Sequence, residues 1–152
     1  MLGCGALAVS TLAGQELRLS SAIAGLGDRV AIEVALESPE GREPLALQWT
    51  ASIPLANLIP EQILLGTAAQ QANKTIHCIR ADQSGSAVYH CVVAGGQAAL
   101  GNGAMALIIL RILAKARPGR EQLRTEKGIA VSKETKKVSI PDASASVTIR
   151  VK

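Results

Sequence analysis

In "RVAIEVALE", Val30, Ile32, Val34 and Leu36 alternate with Ala31, Glu33, Ala35 and Glu37. Successive side chains of a strand point to opposite faces, so a period of two describes a half-buried strand. On a helix the same glutamates would fall on the apolar stripe. "LALQWTASI" repeats the pattern, with Leu45, Leu47, Trp49, Ala51 and Ile53 on one face and Ala46, Gln48, Thr50 and Ser52 on the other. "ASASVTIRV" does so again, with Ala145, Val147, Ile149 and Val151 opposed to Ser146, Thr148 and Arg150.

Between these segments lie "SPEGREP", "ADQSGSA", "AGGQAALGNG", "ARPGREQ" and "SIPDAS", rich in the Gly, Pro, Asp and Asn that tight turns require. Short alternating strands at this spacing, without helical units between them, predict an all-β sandwich or barrel, and a two-layer antiparallel sandwich is the form expected. Its expected core is Val30, Ile32, Val34, Leu47, Trp49, Ile53, Leu107, Ile109, Val147 and Ile149. "GAMALIILRILAKA" fits a helix as well as a strand by composition, since short continuous apolar runs do not separate the two by period.

Composition agrees with a sheet core. Of 152 residues 48% are hydrophobic, yet Phe is absent and Trp49 and Tyr89 are the only aromatics. The core is therefore built from Val, Ile, Leu and Ala, the first two being strand formers. A single domain of this length folds without a metal or cofactor, and none is expected. The apolar run around "AMALIILRILA" carries Arg111 and falls short of the ~20 residues of a membrane span.

Charge is uneven. Between Arg111 and Lys137 nine basic residues face three acidic ones, although the whole chain is only +4. Arg117, Arg120, Arg124, Lys127, Lys133, Lys136 and Lys137 are thus either a solvated loop and strand face or a contact surface for an acidic partner. Nucleic acid fits poorly, since neither aromatic stacking platforms nor a groove-reading motif is present.

The N-terminal "MLGCGALAVSTLAGQ" is apolar and small, like the end of a secretory signal, but lacks a basic n-region. Residues 1–15 are assigned as an apolar leader and 16–152 as the sandwich domain. "LGC" at Leu2 to Cys4 looks like the end of a lipobox without the hydrophobic run that precedes one. Cys4 is expected to be removed with the leader or to stay unpaired.

The remaining cysteines stand in "HCIRADQSGSAVYHC". Positions 78 and 91 are symmetric about Ser84-Gly85, so a hairpin turning there through a two- or four-residue loop sets Cys78 opposite Cys91. Facing Cβ atoms on antiparallel strands lie ~4.5–5.5 Å apart, close to what a disulfide needs. His77 and His90 then project to the other face, so four ligands do not converge on a zinc ion. A structural disulfide between Cys78 and Cys91 is the preferred reading and two free core thiols the alternative. A disulfide implies an oxidising, extracytoplasmic compartment, secreted or at the cell surface.

Catalysis finds little support. Ser84 with His77, His90 and Asp82 offers the residue types of a nucleophilic site, but on a turn and on strand faces that point apart. No G-x-S-x-G, H-E-x-x-H or P-loop motif occurs, and the protein is expected not to be an enzyme. Glycan stacking has one candidate ring, Tyr89, because Trp49 lies on the core face. "NKT" at Asn73 to Thr75 matches a glycosylation acceptor, relevant only to a eukaryotic secretory route.

The ordered series "ELRLSSAIAGLGDRVAIEVALES", "PLALQWTASIP", "AAQQANKTIHC", "YHCVVAGGQAALGNGAMALIILRILA" and "GIAVSKETKKVSIPDASASVTIRV" resembles a cohesin-type domain, of the divergent bacterial kind found outside cellulosomes. The likeness runs from Glu16 to Lys152 and is one of segment order. It implies a nine-stranded jelly roll in which "GAMALIILRILA" is the seventh strand, after the Asn102-Gly103 turn. It also implies a non-catalytic binding or scaffolding module, with a dockerin-like protein as partner, through a sheet face or loops. Because the sandwich is related in shape to carbohydrate-binding modules, a polysaccharide partner is the alternative, and a structural role in an extracellular assembly a third. No contact positions follow from the resemblance.

Overall fold

The computed structural model describes residues 14–150. Its elements in chain order are β1 (Glu16–Leu19), β2 (Ala22–Ala24), β3 (Arg29–Glu37), β4 (Ala46–Pro54), β5 (Leu58–Leu65), α1 (Thr67–Gln71), β6 (Thr75–Arg80), β7 (Ser86–Ala94), β8 (Gly103–Ile112), β9 (Gly119–Val131), β10 (Lys137–Ile140) and β11 (Ala143–Ile149). Two sheets face each other. A four-stranded sheet runs β1-β3-β8-β5, and a seven-stranded sheet runs β2-β11-β9-β4-β7-β6 with β10 beside β9. Most of the leader assigned to residues 1–15, and Cys4 with it, lies outside the described residues.

Eleven strands replace the expected nine, for local reasons. The first is split: Ser20 donates its N–H to Glu33 O in the four-stranded sheet, while the Ser21 hydroxyl accepts the Ser146 N–H of the other. The chain changes sheets between these two serines, so β1 and β2 are halves of one edge. β10 is a short return alongside the end of β9. The expected nine are therefore not matched strand for strand among the described residues. The β2–β11 pairing is parallel and the other described pairings are antiparallel.

Alternation predicts the inner faces well where polar residues mark the period. Ile32, Val34, Leu47, Trp49, Ile53, Val147 and Ile149 are buried between the sheets, and Val30 is half-buried against them. Leu107 and Ile109 are corrections. The pairing of Ile108 with Ile32 and of Ala106 with Val34 puts Ala106, Ile108, Leu110 and Ile112 in the core. Leu107 and Ile109 therefore face outward. A strand register slipped by one moves every side chain to the other face, and in this run only Arg111, near its end, marks the outer side, in phase with Leu107 and Ile109.

The run is nevertheless a strand, central in its sheet between β3 and β5. Helix α1 is the element that alternation did not predict. It follows Gly66, where an added Cβ would lie 2.3 Å from the Ala104 carbonyl oxygen, so the chain comes close against β8 there. Asn73, in a left-handed conformation with φ 57°, ends the turn and leads into β6.

Candidate partner-binding face

The β6–β7 hairpin closes through Ser84 and Gly85, both left-handed (φ 46° and 80°), the two-residue solution of the symmetric stretch. Gln83 and Ser86 exchange both backbone hydrogen bonds, and Ala81 donates to Val88 O. In an antiparallel ladder bonded and non-bonded pairs alternate, so Cys78 opposite Cys91 is a close, non-hydrogen-bonded pair. Their Cα atoms are 4.1 Å apart and the sulfurs are joined. Cys91 is buried in the core and Cys78 is half-buried at the sheet's edge.

His77 and His90 lie on the opposite, outer face. His90 Nδ1 is 3.0 Å from Thr50 Oγ1 on β4, so its ring is held across the sheet and does not reach toward Ser84. Asp82 is held by Arg80, whose Nε and Nη2 donate to its two oxygens at 2.7 and 3.0 Å. These hydrogen bonds from Arg80 hold the Asp82 carboxyl below its ordinary pKa. The four residues do not converge. Tyr89 faces inward and packs against the core, with the Arg80 guanidinium 5.7 Å from its ring centre. It does not present a free ring to a sugar.

The basic residues divide among three places. Arg120 and Arg124 project from β9 onto the outer face of the seven-stranded sheet, level with Thr148 and Ser144 of β11. Two residues along a strand are ~6.6 Å, so the two guanidinium stems are rooted ~13 Å apart. Lys127 lies on the same strand in a bulge, where Lys127 and Gly128 together stand opposite Trp49. Its left-handed φ of 54° is a conformation that the sequence did not signal. Arg117 is in the loop before β9, and Lys133, Lys136 and Lys137 are in and after the turn beyond it. β9 is 13 residues long, about 40 Å at strand rise, so these two groups sit at opposite ends of the molecule.

Around Arg120 and Arg124 the outer face is a lane of hydroxyls and amides: Ser52, Ser144, Ser146, Thr148 and Gln122. Toward β6 on the same face stand two exposed apolar side chains, Val92 of β7, 41% exposed, and Ile79 of β6, 71% exposed. A shallow depression bounded by Ser52, Pro54, the Ser84–Ser86 turn, Gln122 and Arg124 joins the lane to the hairpin. Among the described residues no group of three or more His, Cys, Asp or Glu side chains is placed to hold a metal ion. No helix there is long and apolar enough to cross a membrane.

No family model matches the chain, and no curated protein does. Solved structures match it over nearly their whole length. A non-cellulosomal cohesin of the archaeon Archaeoglobus fulgidus superposes with a TM-score of 0.71 at 16% identity, covering 91% of this chain and 92% of that one. A chain of the Coh-OlpA–Doc918 cohesin–dockerin complex of Clostridium thermocellum gives 0.77 at 11% identity, over 91% and 100%. The cohesin module of a Clostridium perfringens family 33 glycoside hydrolase gives 0.71 at 12%, over 94% and 100%. The fold is that of cohesins: this is a cohesin-like β-sandwich domain.

Proposed function

We propose that the domain is a non-catalytic protein-binding module that takes a dockerin-like partner on the outer face of its seven-stranded sheet, outside the cytoplasm. The observation that carries this reading is the state of the charges on that face. Arg120 and Lys127 have no ion-pair partner among the described residues, and Arg124 has one contact, 3.5 Å from Glu126. Charges left uncompensated next to exposed apolar side chains are what a protein partner satisfies on binding. The solved cohesin of the Coh-OlpA–Doc918 complex has a dockerin as its partner, which supports the same class of ligand here. The Cys78–Cys91 bridge and the apolar leader favour an exported protein. Arg117, Lys133, Lys136 and Lys137, at the two ends, steer an acidic partner without touching its centre.

Affinity capture from the medium of the source cells tests this. Wild type retains a dockerin-bearing protein, eluted by salt, and the double variant Arg120→Glu, Arg124→Glu does not. Retention on a polysaccharide matrix, with no protein captured, would overturn it in favour of glycan binding.

A further inference from the structure

Five described strands, β1, β5, β2, β10 and β6, are paired on one side only, and the first four are blunted, β10 by being four residues long. β1 is four residues long and carries the Glu16–Arg18–Glu37 ion pairs. β5 holds Pro60 and a bulge between Pro60 and Gln62. β2 is three residues long. Short strands, charges, proline and bulges are the devices by which sheet edges avoid pairing with other chains. β6 has six residues, no proline and no bulge, and ends the seven-stranded sheet.

Since Ala81 and Gln83 spend their backbone groups on β7, so do Thr75, His77 and Ile79 by alternation. The N–H and C=O groups of Ile76, Cys78 and Arg80 point away from the sheet, and no described strand pairs with them. Ile79, the most exposed large hydrophobic side chain described, stands on this strand. The disulfide fixes the strand's register to β7, so the edge is already ordered before any strand joins it.

We propose that β6 is the seam of a two-fold dimer, in which it pairs antiparallel with β6 of a second copy, centred on Cys78. The occupant is favoured by the register. Centring on Cys78 bonds Ile76 to Arg80 of the second copy and Cys78 to Cys78, which uses all three free backbone positions on each side. On the outer face Ile79 comes beside His77 of the second copy. The strand's one fully charged residue, Arg80, meets Ile76 and not its own mate. Like charges opposite one another are thereby avoided. A seam of six-residue strands buries less than the ~1,200 Å² of a standard interface, so association is weak and concentration-dependent.

The test is sedimentation equilibrium of the disulfide-intact protein up to about 1 mM, with hydrogen exchange of the Ile76, Cys78 and Arg80 amides followed over the same series. A reversible dimer is expected, with those three amides slowing as it forms. Ile79→Lys leaves the β7 pairing untouched and weakens the dimer roughly tenfold or more, from one altered contact in each half of the seam. Arg80→Pro removes an outward N–H and abolishes the dimer; should it not fold, Ile79→Lys alone carries the test. Val92→Lys, on the same face one strand further in, leaves the dimer unchanged. A monomer throughout the range, or a dimer indifferent to Ile79→Lys, would overturn the proposal.

Discussion

The two outer faces of the sandwich treat their charges differently. On the four-stranded sheet most of them contact each other: Arg18 contacts Glu16 and Glu37, and Glu61 accepts from Arg29 Nε at 2.6 Å and from Arg111 Nε at 2.9 Å, while Glu33 has no ion-pair partner among the described residues. The apolar residues there, Leu107 and Ile109, are half-buried beneath this cover, although Ile59 and Leu64 reach solvent. On the seven-stranded sheet Arg120 and Lys127 are unpaired among the described ion pairs, and Ile79 and Val92 stand open. One face pairs most of its charges within the molecule, and the other leaves Arg120 and Lys127 without an ion pair among the described residues. Both are built on strands of the same alternating pattern, so the pattern alone does not tell a binding face from an inert one.

The largest expected effect tests which side of β8 faces in. Ile108→Ala removes a side chain 1% exposed and should cost about 2–5 kcal/mol in denaturant unfolding. Ile109→Ala, on the outer face, should cost well under half as much. Equal losses would mean that the register of β8 is wrong, and with it the division into inner and outer faces.

The stapled edge comes next. Replacing both Cys78 and Cys91 by Ala should lower stability by about 2–3 kcal/mol without unfolding the domain, since the bridge closes a short loop and a full core remains. Mass analysis of the protein alkylated without reduction checks the bridge itself. Uptake of alkylating agent at both positions under denaturing conditions would contradict it.

The contrast between the faces is tested directly by charge reversal. Arg120→Glu with Arg124→Glu should weaken partner binding about ten- to a hundredfold at low salt and flatten its salt dependence. Leu64→Lys, on the four-stranded face, should leave binding unchanged. Equal sensitivity of both faces would break the comparison.

The smallest effect concerns Glu61. Burial pushes its carboxyl pKa up, but the hydrogen bond from Arg29 and the charges of Arg111 and Arg29 outweigh this and leave it lowered. A carboxylate with a depressed pKa contributes stability that is present above its unfolded value and lost as pH falls through the folded one. Acid titration of stability should therefore show a small loss below the ordinary carboxylate range, absent in Glu61→Gln. A loss of the same size in Glu61→Gln would assign it to other groups.

The hairpin was legible in the sequence because two local facts converge. Ser84-Gly85 supplies left-handed turn residues, and the equal spacing of the cysteines on either side leaves one facing register. Arg120 and Arg124 were legible as basic but not as neighbours distinct from Lys133, Lys136 and Lys137. The strand length of β9 separates them, and that length passes through a bulge at Lys127 whose one local mark is Gly128.

The chain's alternation by itself determined that this is an all-β chain of half-buried strands, because the period of side-chain polarity is a property of consecutive residues. It determined most of the core for the same reason, and the Cys78–Cys91 pairing through turn symmetry. Tertiary structure decided the rest. Which side of "GAMALIILRI" faces inward is settled by its pairing with β3 and β5, since Gly103 to Leu110 are apolar on both sides and only Arg111 hints at the outer one. Which charges are free depends on residues brought together across strands: Glu61 neutralises Arg29 and Arg111 from distances of 32 and 50 residues along the chain. Long-range neighbours of this kind are set by sheet order, and sheet order is not a local property of any segment.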